Sequence, residues 1–454
     1  MRFRKLVRDD EMLARTQAER AADLALRPFH QFARRQASGG LLLLVCVVVA
    51  LVWANSPWQI VYKQMLHEPF GLSFGEHLLR FDLHRWINDG LMAVFFFAVG
   101  LELKREFLVG ELARPRQAML PIAAAIGGMV VPAVIYTAFN AGGEGAHGWG
   151  IPMGTDTAFA LGALALLGAR IPDGLKIFLG ALLVIAAFYT ASIDWSSIVV
   201  AAAFLVALFV ANRAGARRAP IYLLFGAGLW YGLLISGLHA TLAGVLAALL
   251  MPARVRIVPE ALAQVIRRSA DAVEADAANR VRRAMDPERF ETISVLSRTL
   301  DAANSPLQRF EHMVQPWVTF AILPVFVLFN AGVAIDASAM RTLASPVPLG
   351  IIAGLVFGKP AGICVASWPA VKTGLATLPE GVSWQHVTGT AFLAGIGFIM
   401  ALFISGLAFP GTDLESEAKL GILIGSLVSA AVGVAILLTK QRRAKRDLDV
   451  KVPL

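Results

Sequence analysis

Apolar residues run along this chain in long blocks, without the period of two or 3.6 that marks half-buried strands and helices of a soluble fold. A helix that crosses a bilayer needs roughly 20 apolar residues, with about 17 a practical minimum. Windows of that kind fall near 40 to 56, 87 to 103, 118 to 139, 151 to 169, 177 to 193, 196 to 212, 219 to 235, 237 to 251, 316 to 335, 347 to 368, 388 to 409 and 419 to 439. The pattern predicts an all-α polytopic membrane protein of about twelve spans. An even number puts both termini on one side.

Two polar stretches interrupt the blocks. WQIVYKQMLHEPFGLSFGEHLLRFDLH, between the first two spans, is too polar to cross and carries a Gly-containing turn between short alternating runs, which predicts a hairpin near 57–85. On this count it lies outside, where exposed strand pairing would suit a homodimer contact. The segment 252–314 includes PEALAQVIRRSADAVEADAANRVRRAMDPERF, with apolar residues at helical spacing among mixed charges. That spacing predicts amphipathic helices in a cytoplasmic connector. The expected organisation is a cytoplasmic tail (1–38), eight spans (39–251), the connector, four spans (315–439) and a basic cytoplasmic tail (440–454).

Composition agrees: 57% of the 454 residues are hydrophobic and 16% charged, against roughly 25% charged in soluble domains. The net charge of +9 does not point to nucleic acid, because the basic residues flank apolar spans, where they orient a protein in a bilayer. Arg2, Arg4, Lys5, Arg34 and Arg35 at one end, and Lys440, Arg442, Arg443, Lys445 and Arg446 at the other, predict cytoplasmic termini. Lys104, Arg105, Arg114, Arg116, Arg213, Arg217 and Arg218 fall on the same side. The N-terminal segment is too long and too acidic for a signal peptide. Cys46 and Cys364 each lie in an apolar run and argue for neither a disulfide nor a CxxC metal site.

Charges at mid-membrane are costly and are functional candidates by default. Asp156 sits in the fourth span and Lys359 in the tenth, within GLVFGKPAG; Asp89, Glu102 and His239 lie near span ends. Pro152 and Gly154 precede Asp156, and Thr155 and Thr157 flank it, so an interrupted helix is expected there, with free amides and carbonyls turned to a cavity or an ion. Gly395 and Gly397 interrupt the eleventh span in the same way. Two broken helices in corresponding halves point to an ion site in a transporter built from inverted repeats. The residues alone also allow Asp156 and Lys359 to be a structural pair that only balances charge. Ser236 and His239 are close in sequence, but no nucleophile elbow or paired acid accompanies them, so a hydrolase is not expected.

WINDGLMAVFFFAVGLELKRE, GWGIPMGTDTAFALGALALLG, SGLHATLAG, ILPVFVLFNAGV, PLGIIAGLVFGKPAGI and GIGFIMALFISGLAF resemble, in order, the NhaA-type sodium/proton antiporters. The first 38 residues and the connector are not part of the resemblance. It implies a secondary transporter of the bacterial inner membrane, without a cofactor, that extrudes Na+ or Li+ against entering protons in pH and sodium homeostasis. It also implies an inverted-repeat fold of twelve helices, with helices four and eleven discontinuous and crossing at mid-membrane. Thr155 and Asp156 (the latter a Na+ ligand) and Lys359 would form the transport site. Glu102, Lys104, Arg105, Glu106, Glu311 and His312 would form a cytoplasmic pH-response cluster, in which Gln315 stands where some members have a further histidine.

One departure stands out. The family's helix five carries a pair of adjacent aspartates, whereas here the flanks FLGAL and FYT enclose no acid between Leu179 and Ile193, and the segment is correspondingly short. Its 17 residues, 177 to 193, still reach roughly 26 Å as a helix, barely the thickness of the hydrocarbon core. Asp194, the nearest acid, should lie at the external interface and not substitute. Two readings follow: an antiporter working through Asp156, Thr155 and Lys359, or a transport-impaired homologue or membrane scaffold.

Overall fold

In a computed structural model, the structure describes residues 36–74, 77–108, 115–156, 159–160, 194–216, 218–253, 264, 267–268, 305–335, 337–378 and 382–450. The expected span at 177–193, most of the connector and the N-terminal tail fall outside the described residues. The described residues are mostly helical, and among them seven helices are long and apolar enough to cross a membrane, or up to nine if two bent pairs each count as one span. Such helices require a lipid bilayer around them. Val199, Leu224, Phe357, Val365 and Leu427 stand out from the helix faces with most of their surface exposed, an arrangement that water would penalise and acyl chains accept.

Helix α1 (Gln36–Ala54) turns sharply into α2 (Gln59–His67), the two bent by 109°. Strands β1 (Pro69–Phe74) and β2 (His77–Asp82) then pair antiparallel, in a register running from Pro69 opposite Asp82 to Phe74 opposite His77. Helix α3 (Leu83–Leu108) starts where the Asp82 carboxylate accepts the Arg85 amide at 3.0 Å, an N-cap on the first turn. A π-turn at Trp86–Leu91 follows.

Helix α4 (Pro115–Asn140) holds Pro121 and Pro132 in its interior, as membrane helices tolerate better than soluble ones. It packs on α10 (Pro346–Lys372) through glycine, backbone to backbone. A Cβ built on Gly127 would stand 2.0 Å from the Gly362 carbonyl oxygen, and one on Gly362 would stand 2.1 Å from that of Gly127. Small residues let membrane helices approach this closely. Gly127→Ala is therefore expected to force α4 and α10 apart, at roughly 1–3 kcal/mol. Thermal unfolding in detergent checks it, and an unchanged midpoint would count against so close a crossing.

After a 3₁₀ segment, Glu144–Met153, the next described helix is α5 (Trp195–Arg213), capped by Asp194. This exposed carboxylate accepts the Ser196 and Ser197 amides at 3.2 and 3.1 Å and both hydroxyls. The hydroxyl bonds, Ser197 first and Ser196 next, hold its pKa down to about 2. Asp194 is committed to a helix cap. Helix α6 (Ala219–Ser236) ends on Gly237 at φ 83°, a left-handed conformation that suits glycine.

The eighth span differs from expectation. Only Leu242–Leu250 (α7) is regular helix, nine residues or about 14 Å, because the chain spends 237–241 on the glycine turn. His239 lies in that turn. Beyond the connector, Ser305 and Gln308 form a capping box for α8 (Pro306–Asn330). Then come the short α9 (Ala337–Thr342), α10 with its π-turn at Gly354–Gly358, α11 (Trp384–Ala394), α12 (Phe398–Ala408) and α13 (Asp413–Val450). One apolar cluster joins residues of α1, α3, α8, α10, α12 and α13, among them Phe96, Phe326, Leu355 and Phe403; a second joins α5, α6 and α7 to α3 and the start of α8.

Candidate ion-binding site

Two places in this framework lose helical hydrogen bonding inside an apolar stretch. The 3₁₀ segment stops at Met153 and residues 154–156 have no regular structure; α11 stops at Ala394 and α12 restarts at Phe398, bent by 42°. The breaks meet. The Asp156 amide donates to the Ile396 carbonyl at 2.7 Å. A Cβ on Gly397 would lie 2.9 Å from the Gly154 carbonyl oxygen, and one on Gly154 would lie 3.0 Å from the Ala401 nitrogen. Glycine at both places lets the two backbones touch. Phe159 and Phe398 pack edge to face beside them, centroids 5.5 Å apart.

Asp156, 2% exposed, spans the crossing. One carboxylate oxygen accepts the Phe159 amide at 3.1 Å, and the other accepts the Ile399 amide of α12 at 2.9 Å. A single carboxylate thus takes free N–H groups from both interrupted helices, where the helix dipole favours negative charge. Lys359, fully buried at the end of the α10 π-turn, donates from Nζ to the Gly154 carbonyl, two residues before Asp156. Thr155 is buried, and among the described residues its hydroxyl has no hydrogen-bond partner.

Carboxylate, hydroxyl and backbone carbonyl are the hard oxygen donors that a small alkali or alkaline-earth cation prefers. An orphaned hydroxyl next to a buried carboxylate is an unmet demand for a positive or donating partner. Among the described residues the same space holds the Lys359 amino group and the Asp156 carboxylate, so a cation entering it changes the charge balance around Lys359. Among the described residues no three His, Cys, Asp or Glu side chains group as a metal centre would require.

Of the six pH-response candidates, Arg105, Glu106 and Glu311 meet. Arg105 bridges Glu106 at 3.2 Å and Glu311 at 3.4 Å, tying the last turns of α3 to the start of α8. Lys104 points elsewhere, donating to the carbonyls of Leu249 and Met251 at the C-terminus of α7, where a cation complements the helix dipole. Glu102 is half-buried and His312 exposed. Lys104→Met should therefore lower the thermal midpoint by loosening α7. Should it leave the midpoint in place, the capping role fails.

The profile of the family described as Na+/H+ antiporter 1 matches residues 30–437. The chain belongs to that family. It is 46% identical over 429 residues to the Na(+)/H(+) antiporter NhaA of Oleidesulfovibrio alaskensis, covering 92% of this chain and 95% of that one. The same identity holds with the NhaA of Acidithiobacillus ferrooxidans, over 92% and 98% of the two chains, and with that of Syntrophobacter fumaroxidans, over 94% and 93%. The Na+/H+ antiporter family consists of secondary transporters, not enzymes. The matched range takes in the connector, which the six sequence blocks left out. Nothing in these likenesses supports a transport-impaired homologue or a scaffold.

Within this antiporter chain the structure brings Thr155, Asp156 and Lys359 to one place. Sequence reasoning missed their backbone partners, the Ile396 carbonyl and the Ile399 amide. Backbone groups carry no residue-type signal.

Proposed function

We propose that the chain exchanges Na+ or Li+ for protons across the bacterial inner membrane, extruding the metal cation at the expense of the proton gradient. One observation carries the reading: a buried carboxylate, a hydroxyl without a partner among the described residues and a buried amino group share the crossing of two interrupted helices. Na+ binds the Asp156 carboxylate, the Thr155 hydroxyl and carbonyl oxygens of the interrupted segments. Its positive charge beside Lys359 favours the neutral amine, so a proton leaves as the cation arrives. Without a second acid between Leu179 and Ile193, Asp156 carries the binding charge alone.

The same reading extends the observed helices to the twelve-span inverted-repeat fold with cytoplasmic termini, supported by the Lys and Arg residues flanking the spans. It places the β1–β2 hairpin outside as a homodimer contact. Arg105, Glu106 and Glu311, with Glu102, Lys104 and His312 nearby in sequence, form the pH-responsive inner end. Arg105→Gln is expected to move the pH of half-maximal exchange by about half a unit or more, leaving the half-saturating Na+ concentration at the plateau unchanged. An unmoved pH profile would remove this group from the response.

The deciding measurement is collapse of a respiration-driven pH gradient in everted membrane vesicles on addition of NaCl or LiCl, with choline chloride as control. A response in vesicles holding this chain and none in vesicles lacking it is the expected result. Identical traces would overturn the reading.

A further inference from the structure

The crossing depends on where α11 stops, and nothing in α11 or α12 alone fixes that point against its neighbours. We infer that Ser429, on α13, is a positioning residue for the cation site: its hydroxyl ties the break between α11 and α12 to the π-turn of α10. The inference rests on the antiport reading and adds a residue to it.

Ser429 is fully buried. Its hydroxyl lies 2.9 Å from the carbonyl oxygen of Phe392, in the last turn of α11, and 3.3 Å from that of Leu355, in the Gly354–Gly358 π-turn. Both carbonyls sit where helical bonding is disturbed, so both offer lone pairs that regular helix would occupy. A serine hydroxyl has one hydrogen. It points at Phe392 in the shorter contact and can turn to Leu355, so one proton serves two interrupted helices.

Gly395 makes room for this. A Cβ there would fall 2.1 Å from the Ser429 oxygen and 2.5 Å from the Leu355 carbonyl oxygen. One turn along, α13 lies against α11 through glycine again: a Cβ on Gly433 would stand 3.0 Å from the Gly389 carbonyl oxygen. The α13 backbone is thus a fixed rail. From Ser429 the connection runs through the Phe392 carbonyl into residues 395–397, and from there to the Ile396 carbonyl and Ile399 amide that hold Asp156. From the Leu355 carbonyl it runs four residues along α10 to Lys359. The hydroxyl therefore sets the relative position of the Asp156 and Lys359 supports without touching either.

Phe392 keeps a second donor, the Gly395 amide at 2.9 Å, so Ser429→Ala is expected to insert and fold. The measurement is Na+-dependent exchange in everted vesicles, with half-saturating Na+ and maximal rate read separately. Ser429→Ala should raise the half-saturating concentration about fivefold to tenfold with the maximal rate less affected, and Ser429→Thr, which keeps the hydroxyl, should restore it. Amide hydrogen exchange at residues 395–399 should quicken in Ser429→Ala and not in Ser429→Thr. A general packing role would change the amount of folded protein without that split. If Ser429→Ala does not accumulate, Ser429→Cys, with a weaker donor in similar volume, should give an intermediate shift. Unchanged half-saturation in a parent that transports, or a threonine variant no better than alanine, overturns the inference alone. A parent that moves no protons in response to Na+ overturns the antiport reading and this inference with it.

Discussion

Asp156→Asn is expected to lower Na+- and Li+-dependent proton exchange by about a hundredfold or more while leaving the protein in the membrane. The substitution keeps volume and one carbonyl oxygen, so one of the two amides from Phe159 and Ile399 keeps its acceptor. The other then faces an NH2 group. That unmade bond costs about 1–3 kcal/mol, which a crossing held also by the Asp156 amide to Ile396 carbonyl bond can absorb. The binding charge is lost outright. A hard cation taken from water into a buried site needs a compensating negative charge, and no acid between Leu179 and Ile193 supplies one. Everted vesicles read the loss, and fluorescence-detected size exclusion reads the fold. Exchange within a few-fold of the parent would move the cation site away from Asp156.

That site was partly legible in the sequence because membrane helices carry their exceptions openly. A carboxylate, a lysine, and Pro or Gly at mid-span are all costly there, so each marks a place where neighbours compensate. Pro152, Gly154, Gly395 and Gly397 accordingly sit at the two places where helical bonding stops. What they could not show is which amide of α12 meets which oxygen of Asp156, since that register depends on a contact 243 residues away in the chain. The hairpin strands fall within the polar stretch whose alternation and glycine turn suggested them.

The shortness of the regular helix within 237–251 has a physical cause too. A hydropathy window counts apolar side chains but not backbone turns, and Gly237, Leu238 and Ala240 are as apolar in a turn as in a helix. Among the six pH-response candidates, Arg105 and Lys104 find different partners for a related reason. Adjacent charges such as Lys104 and Arg105 look like one cluster in sequence, yet helical geometry sends neighbours to different faces. Arg105 meets Glu311, while Lys104 meets the end of α7.

Replacing Lys359 by Met should destabilise the protein by about 3–5 kcal/mol, the usual result of removing one partner from a buried pair. The side chain is fully enclosed, and its amino group donates to the Gly154 carbonyl beside Asp156. Taking it away removes a basic group from beside the buried Asp156 carboxylate. Asp156→Asn removes that carboxylate, so Asp156→Asn/Lys359→Met should melt above Lys359→Met alone, with a coupling of about 1–3 kcal/mol in the cycle of the two single variants and the double variant. Thermal midpoints in one detergent, without Na+ and Li+, measure it. Additive effects would mean that the two groups compensate helix ends separately, and cation binding at Asp156 would then have no direct route to the Lys359 proton. Coupling in stability together with lost exchange in both single variants would tie the fold's charge balance and its transport chemistry to the same pair of side chains.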